Sequence, residues 1–437
     1  MSCRREQDGG KFIGSEADRQ LLLRTAILEG VDYIDLEEDI AAEIPRFGST
    51  KRVISLHDFR QTPPDLESVH RRLAALDADL VKIATMSNQP EDNLRMLKLI
   101  EQADVPTVGI CMGEMGIPTR VLAKKFGAPF TFATFHHERA LAPGQLSFRE
   151  MVDVYHYEEL DSETQVFGVV ADPVGHSLSP HVHNAAMRDA GLNAVYVPMR
   201  IPSDALEDFL EHAPQMGVRG ISVTIPHKEA VLPMLTYSDN AVLGIGAANT
   251  VIFGDGTRSG YNTDYQAAME SLHEAIGGST PFRGKTALLL GAGGAARAIA
   301  YGLALGGAEV VIASRTFSRA RKLADRVEGK AVDWQHRHAQ KPQIVVNCTP
   351  IGMHPNVDES PLDKHYLKPS MVVFDTVYNP ENTLLVKYAR EQSCRVVTGM
   401  EMFVRQAALQ FKLFTGQEGS TERIREVVRR AIGPVNY

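Results

Sequence analysis

The chain has 437 residues, of which 44% are hydrophobic and 23% charged, and its formal net charge is -8. These values predict a globular protein of two or three domains and argue against a nucleic-acid partner, since no Lys/Arg block interleaved with aromatic residues accompanies the acidic balance. No apolar stretch is long and uninterrupted enough to span a membrane, and the four cysteines form no CxxC pair, which argues against a disulfide framework and favours a cytoplasmic location.

Strand and helix patterns alternate along residues 1–158, which predicts a parallel α/β domain. Polar residues gather at the carboxyl ends of its strands, as they do at the catalytic rim of a (β/α)8 barrel. We therefore predict an incomplete barrel of about six strands. His136 and His137 are adjacent rather than one helical turn apart, so no metal site is predicted. The strand candidates are SCRR, VDYIDLE, RVISLHD, DLVKIAT, PTVGICM and PFTFAT.

The lysine of DLVKIAT, Lys82, lies inside an apolar strand, where a lysine needs a partner or a task. Desolvation lowers the pKa of an amine and suits it to form a Schiff base. His57 ends the preceding strand, so both side chains could meet above a barrel mouth. That pair suggests imine-assisted elimination of water from a ketone. The alternative is a snorkelling lysine and a capping histidine, and the residues alone do not decide between them.

The motifs CRREQDGG, YIDLE, SLHDF, VKIAT, MGEMGIPTR and ALAPGQ occur in this order over roughly residues 1–155. In this order they resemble type I 3-dehydroquinate dehydratases. The resemblance implies that Lys82 is the Schiff-base residue and His57 the general acid/base. It also implies that the substrate is bound by Arg4, Arg120 and Gln145, with Phe132 nearby.

Three departures from that family stand out. Asp8 replaces a family glutamate and would have to reach His57 with one methylene fewer, and Leu141 replaces a lid serine. The family barrel also has two strands before the CRR strand, the second carrying a substrate-binding Glu and Arg. Because six strands cannot close such a barrel, MSCRREQDGG is expected to be the middle of a domain. Either the true start lies upstream of Met1, or the first block is a truncated remnant.

Residues 164–280 carry short polar motifs between strand and helix patterns: GHSLSPHVHNAA, ISVTIPHKEA, GAANTVIF and GYNTDYQA. Their hydroxyls, amide and Lys228/Asp264 pair suit a small polyhydroxylated ligand with a carboxylate. A lysine beside an aspartate can supply a proton to an oxygen that gains charge during hydride transfer. Each residue taken singly is an ordinary cap or surface residue.

The segment GAGGAARA follows the strand pattern ALLL and opens a helix, which is the context of a dinucleotide-binding turn. At the end of the next strand, Arg315 and Arg319 occupy the region where NAD sites place an acidic residue. Guanidinium groups suit a ribose 2′-phosphate. The sequence therefore predicts NADP as the cofactor; a solvated basic helix start is the alternative.

The motifs SLSP, TIPHK, AANT, NTD, GAGGAARA, SRT, NCTPIGM, DTVYNP and GMEMFVRQA together resemble shikimate dehydrogenases over about residues 164–437. The resemblance implies a substrate domain at 164–280, a Rossmann domain at 281–400, and C-terminal helices at 401–432 that return to the substrate domain. It implies that Lys228 and Asp264 are the catalytic pair. Shikimate would contact Ser177, Ser179, Thr224, Asn249, Tyr378 and Gln406. NADP would contact Gly291, Ala292, Gly293, Gly294, Ala295, Ser314, Arg315, Thr316, Arg319, Thr349, Gly399 and Met402.

The combined resemblance predicts a bifunctional enzyme that dehydrates 3-dehydroquinate and reduces 3-dehydroshikimate with NADPH. Its partners would be small-molecule substrates. A monofunctional shikimate dehydrogenase with an inert first block is the second interpretation. A non-catalytic sensor of quinate or shikimate is the third, although a sensor needs no cofactor phosphate site.

Overall fold

The computed structural model describes residues 1–135, 142–175, 177–279 and 281–432. It divides into two compact units, one of residues 1–180 and 187–219, the other of residues 181–186 and 220–437. Across the described ranges, no helix is long and apolar enough to cross a membrane.

Strands and helices alternate in the first unit, as the sequence pattern predicts. The strands that begin in it are β1 (Tyr33–Glu37), β2 (Lys51–Asp58), β3 (Leu80–Met86), β4 (Thr107–Met112), β5 (Gln165–Ala171), β6 (Ala194–Arg200) and β7 (Val218–Val223). The helices are α1 (Glu16–Leu28), α2 (Leu66–Ala74), α3 (Glu91–Gln102), α4 (Ile117–Leu122), α5 (Ser179–Asp189) and α6 (Leu206–His212).

The first four strands form one parallel sheet in the order β1-β2-β3-β4. Strands β3 and β4 are buried almost throughout, which is the pattern of a parallel sheet covered on both faces. Helix α1 begins with a capping box between Ser15 and Asp18. Because parallel strands end at the same edge, the polar residues at their carboxyl ends are brought together above β1–β3.

Two of the six strands predicted for the first block do not become regular strands in the described residues. SCRR contributes an isolated parallel bridge between Ser2 and Asp35, and PFTFAT contributes one between Thr134 and Ser147. The N-terminal segment is nevertheless held beside β1, because the Asp35 amide donates to the Met1 carbonyl at 2.9 Å. Arg4 is thereby brought to the carboxyl ends of the strands.

The second unit contains a mostly antiparallel sheet region and a second parallel sheet. Its further strands are β8 (Tyr237–Ser238), β9 (Thr250–Gly254), β10 (Thr257–Tyr261), β11 (Thr286–Leu290), β12 (Glu309–Ser314), β13 (Lys330–Asp333), β14 (Ile344–Asn347), β15 (Val372–Asp375) and β16 (Arg395–Val397). Its helices are α7 (His227–Ala230), α8 (Asn240–Ile245), α9 (Thr263–Ile276), α10 (Gly294–Leu305), α11 (Phe317–Arg326), α12 (Leu384–Glu391), α13 (Gly399–Thr415) and α14 (Thr421–Ile432).

The parallel sheet of the second unit has the order β13-β12-β11-β14-β15-β16. This is the doubly wound order in which the topology reverses between β11 and β14, and ligands of such sheets bind at that reversal. The strands are apolar because helices cover both faces: β11, TALLL, has four fully buried residues. The parallel sheets confirm the predicted α/β class.

Candidate active sites

Lys82 occupies the middle of β3 and is only 5% exposed, among charged groups from neighbouring strands. Its Nζ lies 3.2 Å from Asp35 Oδ2 and 4.2 Å from the centre of the Phe132 ring. Burial lowers the pKa of Lys82, and the charge of Arg4 acts in the same direction, whereas Asp35 opposes the shift. The amine is thus more easily deprotonated than an ordinary lysine, as a Schiff-base nucleophile requires.

Sequence reasoning missed Asp35, which links the charges of this site. Its Oδ2 accepts from Arg4 at 2.7 Å and its Oδ1 accepts from Ser55 at 2.6 Å. Burial alone would raise the pKa of Asp35, but Lys82 and Arg4 hold it below its usual value. Alternation could have revealed this residue, since Asp35 and Glu37 occupy the same face of an otherwise apolar strand.

His57 lies near the carboxyl end of β2, stacked on Phe59. Its Nδ1 is buried and finds no hydrogen-bond partner among the described residues. Asp8 does not supply one, because its carboxylate accepts from Arg5 at 2.6 Å, so the expected Asp8–His57 contact is not formed. Burial, with the charges of Arg4 and Lys82, keeps the pKa of His57 well below its usual value. The imidazole is therefore neutral at pH 7 and able to accept a proton.

Arg120 in α4 is 2% exposed, and its described hydrogen bond is to the Pro143 carbonyl at 3.2 Å, while Nε is unpartnered. Burial lowers its pKa to about 10, so it is still charged at pH 7. A buried guanidinium with free donors is suited to a carboxylate. A cleft of about 720 Å³ brings this group together with all the residues predicted for the first site: Arg4, His57, Lys82, Arg120, Phe132 and Gln145. Leu141 lies outside the described residues.

In the second unit, Lys228 of α7 and Asp264 of α9 form a close ion pair, with 2.5 Å between Nζ and Oδ2. Both side chains are largely buried. Asp264 is placed by the start of α9, whose first turn is capped by Asn262. The pair fulfils the geometric requirement for a lysine that donates a proton while an aspartate orients it.

Four polar residues predicted to bind substrate lie in the same unit as that pair. Asn249 is buried and fixed, because its Nδ2 donates to Thr263 and its Oδ1 accepts from the Thr263 amide. Tyr378 stacks on Phe403 with ring centres 4.5 Å apart, and burial raises the pKa of its phenol. Gln406 donates to the Phe403 carbonyl. Thr224 lies just before α7 and its carbonyl accepts from the His227 amide.

Ser177 and Ser179 belong to the first unit and lie at the start of α5. The Ser179 amide donates to Ser177 Oγ, which is an ST-type turn before the helix. The neighbouring His176 lies outside the described residues.

The glycine turn lies between β11 and α10, at the reversal of the parallel sheet. Gly291 has φ +111°, and a Cβ there would lie 2.8 Å from the Cys348 carbonyl oxygen, so only glycine fits. A cleft of about 410 Å³ above it is lined by this turn, the end of β12 and the Cys348–Pro350 loop. The amides of Gly293, Gly294 and Ala295 begin α10, where a helix N-terminus favours a phosphate.

Two arginines, one just after β12 and one in the first turn of α11, have no acidic partner among the described residues. Arg315 and Arg319 are exposed and line the same cleft as Ser314, whose Oγ accepts from the Thr316 amide. Their free guanidiniums beside the phosphate-binding turn fit a second phosphate on the cofactor ribose. The residues present therefore fit NADP.

We expect Arg315→Leu to weaken NADP binding about 10- to 100-fold, because a hydrogen bond to a charged group contributes about 1.5–3 kcal/mol. Binding of NAD, which lacks the 2′-phosphate, should change little. Titration of both nucleotides by cofactor fluorescence or calorimetry measures the ratio. Arg321→Leu, at an exposed position on α11 away from the cleft lining, is the matched control. Equal losses for NAD and NADP would contradict the assignment.

The remaining residues predicted to lie near the nicotinamide are held by hydrogen bonds or by packing. Thr349 is fixed by Asn347, whose Oδ1 accepts from both its amide and its hydroxyl, and Asn347 in turn donates to buried Asp375. Burial raises the pKa of Asp375 to about 6. Gly399 packs against the Val377 carbonyl, where a Cβ would lie 2.4 Å from the oxygen, and Met402 lies in the apolar core. Ala292 lies in the glycine turn and lines the cleft.

Among the described residues, no group of three or more His, Cys, Asp or Glu side chains is arranged to hold an ion. His136 and His137 lie outside the described residues.

Comparison with family models divides the chain in two. Residues 1–162 match type I 3-dehydroquinase, and residues 169–251 match the shikimate dehydrogenase substrate binding domain. Residues 285–377 match a family described as coenzyme F420-dependent NADP oxidoreductase, and residues 399–429 match the shikimate 5'-dehydrogenase C-terminal domain. Both parts of the predicted resemblance are confirmed.

Individual relatives agree. A shikimate dehydrogenase (NADP(+)) of Methanopyrus kandleri is 42% identical over 283 residues, covering 62% of this chain and 96% of the relative. The crystal structure of shikimate 5-dehydrogenase from Thermus thermophilus with NADP(H) and shikimate has TM-score 0.56 and 35% identity, covering 61% of this chain and all of that one. The chloroplastic bifunctional 3-dehydroquinate dehydratase/shikimate dehydrogenase of Arabidopsis thaliana is 38% identical over 439 residues, covering 95% of this chain and 72% of the relative. The chain thus belongs to the family of bifunctional 3-dehydroquinate dehydratase/shikimate dehydrogenases.

Proposed function

We propose that this chain catalyses both steps of that family, dehydrating 3-dehydroquinate in the first cleft and reducing 3-dehydroshikimate in the second. The observation that carries the proposal for the first step is the buried Lys82, 3.2 Å from Asp35, in one cleft with His57 and Arg120. The second step rests on the Lys228–Asp264 pair and on the cleft that fits NADP.

In the first cleft, Arg120 binds the substrate carboxylate and places the ketone beside Lys82. The neutral Lys82 amine attacks the carbonyl carbon, and the oxygen leaves as water, which forms an imine. The imine acidifies the adjacent C–H, from which the neutral His57 takes a proton. His57 then returns that proton to the departing hydroxyl, and a second water leaves. Hydrolysis of the imine consumes one water and frees Lys82, so the net change is the loss of one water.

In the second unit, Asn249 and Gln406 bind polar groups of the substrate. NADPH, when bound, supplies the hydride to the ketone carbon. Lys228 donates a proton to the carbonyl oxygen as that oxygen gains negative charge. Asp264 holds the lysine Nζ in place at 2.5 Å.

The proposal is tested by one assay with the purified chain. With 3-dehydroquinate and NADPH alone, we expect NADPH consumption, because the first cleft must make the ketone that the second reduces. Consumption only after 3-dehydroshikimate is added would favour the monofunctional interpretation with an inert first block. Shikimate binding by calorimetry without turnover of either substrate would favour the sensor.

A cytoplasmic or other reducing location belongs to this proposal as well. The four cysteines, Cys3, Cys111, Cys348 and Cys394, are all free thiols. Burial raises the pKa of Cys111 to about 12, so this thiol resists oxidation and disulfide exchange. The Arabidopsis relative is described as chloroplastic. Subcellular fractionation with a specific antibody would identify the compartment.

A further inference from the structure

One carboxylate of the dehydroquinase segment contacts the substrate-binding segment of the dehydrogenase. Glu114 follows β4 and lies within the residues that match type I 3-dehydroquinase. Its Oε1 accepts hydrogen bonds from the amides of Val174 and Gly175, at 3.3 and 2.8 Å. Those amides belong to the residues that match the shikimate dehydrogenase substrate domain. All of these residues lie in the first unit.

Gly175 makes this contact possible. A Cβ at position 175 would lie 2.9 Å from Glu114 Oε1, closer than real Cβ atoms approach a neighbour. Arg200 completes the arrangement, since its Nη1 lies 3.2 Å from Glu114 Oε2 and its Nε donates to Asp172 at 2.8 Å. The carboxylate is thus held by two backbone amides of the 172–175 turn and by the guanidinium of Arg200, which also bonds Asp172.

This turn leads directly to the predicted shikimate-binding serines. The Ser177 amide donates to the Val174 carbonyl at 3.1 Å, and Ser177 Oγ accepts from the Ser179 amide at 3.3 Å. Three successive hydrogen bonds therefore link the Glu114 carboxylate to Val174, Val174 to Ser177, and the Ser177 hydroxyl to the Ser179 amide. Charge-assisted bonds to backbone amides are stronger than neutral ones and fix direction as well as distance.

On its other side, Glu114 is anchored to the dehydratase cleft. The Gly113 amide donates to the Pro143 carbonyl at 3.0 Å, and the same carbonyl accepts from Arg120. Asn93 of α3 donates to the Met115 carbonyl at 2.9 Å. The backbone that carries Glu114 is therefore held by the first cleft rather than by the dehydrogenase.

We propose that Glu114 is a positioning residue for the dehydrogenase: it fixes the turn at residues 172–175 and thereby places Ser177 and Ser179 to meet shikimate. The inference rests on the proposed function and on the predicted binding of shikimate by those serines. Shikimate affinity then depends on a residue that belongs to the other half of the chain.

Glu114→Ala should raise the KM for shikimate roughly three- to tenfold, since the site is partly exposed and each contact is modest. The kcat and the KM for NADP should stay within about twofold, because Glu114 touches neither the cofactor cleft nor Lys228. Glu114→Gln keeps an oxygen acceptor for the two amides and should recover part of the loss. Steady-state kinetics in the shikimate-to-NADP direction measure all three values.

Two further variants sharpen the test. Glu101→Gln removes a carboxylate from an exposed position of α3 that has no recorded partner among the described residues, and it should match the parent. Gly175→Ala places a Cβ 2.9 Å from the Glu114 oxygen, which must shift, and the backbone is unstrained because Gly175 does not have positive φ. If both act through one contact, Glu114→Ala and Gly175→Ala together should raise the KM for shikimate less than the product of their single effects.

Failure of the proposed function and failure of the positioning role give different results. A parent chain without dehydrogenase turnover overturns the proposed function, whatever the variants do. An active parent whose KM for shikimate is unchanged in Glu114→Ala overturns the positioning role. Equal rises in the KM values for shikimate and NADP also overturn it, because they indicate general damage.

Discussion

Lys82→Met should lower the kcat for dehydration of 3-dehydroquinate by at least about 10⁴-fold, because no covalent intermediate can form without the amine. Folding should survive, since Asp35 keeps its bonds to Arg4 and Ser55. The dehydrogenase rate of the same protein should be unchanged. Borohydride added with substrate should reduce the imine, and mass spectrometry should find the adduct on Lys82 in the parent and on no residue in the variant.

Lys51→Met is the matched control for this experiment, because Lys51 is an exposed lysine at the start of β2. It should retain dehydration and the adduct on Lys82. An active Lys82→Met chain, or an adduct elsewhere, would contradict the Schiff-base role. The lowered pKa of Lys82 also predicts the pH dependence of the adduct. Because the neutral amine persists to lower pH than in a free lysine, adduct formation should extend further toward neutral pH than with a lysine peptide.

Lys228→Met should lower the kcat for reduction of 3-dehydroshikimate by about 10²–10⁴-fold, the usual contribution of a positioned acid. Lys228 Nζ lies 2.5 Å from Asp264 Oδ2. Each of the two residues is the second residue of its helix. Lys228 lines the NADP cleft, but the amides of the phosphate-binding turn and Arg315 remain, so binding of NADP should change less than the rate. Stopped-flow absorbance of NADPH measures the rate, and calorimetry measures the affinity.

Asp264→Asn tests whether the two residues act as a unit. If Asp264 orients the lysine, the double variant should be hardly slower than Lys228→Met alone. Dehydration in the first cleft should continue in all three chains, which serves as the folding control. Lys322→Met, at an exposed site on α11, should reduce the ketone normally. A raised KM with normal kcat in Lys228→Met would mean that the lysine only binds substrate.

The second half of the chain was predictable because its signals are local. The sequence of GAGGAARA alone requires a tight turn with positive φ, and Gly291 has φ +111° between β11 and α10. The apolar runs of the doubly wound sheet are buried on both faces and need no long-range information to be recognised. The burial of Lys82 was predictable for the same reason, because it is one charge inside an apolar strand.

The first cleft was less predictable because its charges pair across strands. Asp35 lies on β1 and Lys82 on β3, with β2 between them in the parallel sheet. The sequence does not specify that their side chains come within 3.2 Å of each other. Asp8 forms an ion pair with Arg5, three residues away, and not with the distant His57. SCRR and PFTFAT have strand composition but pair through single bridges, since pairing depends on neighbours rather than on propensity.

The Asp35 carboxylate has a further consequence for the first reaction. A protonated imine carries the same single positive charge as the lysine ammonium from which it is made, at nearly the same place. Asp35 therefore faces a cation in the resting enzyme and again in the covalent intermediate, so its surroundings need little rearrangement as the bond forms. Arg4 on its other side keeps the carboxylate ionised during the interval when the amine is neutral.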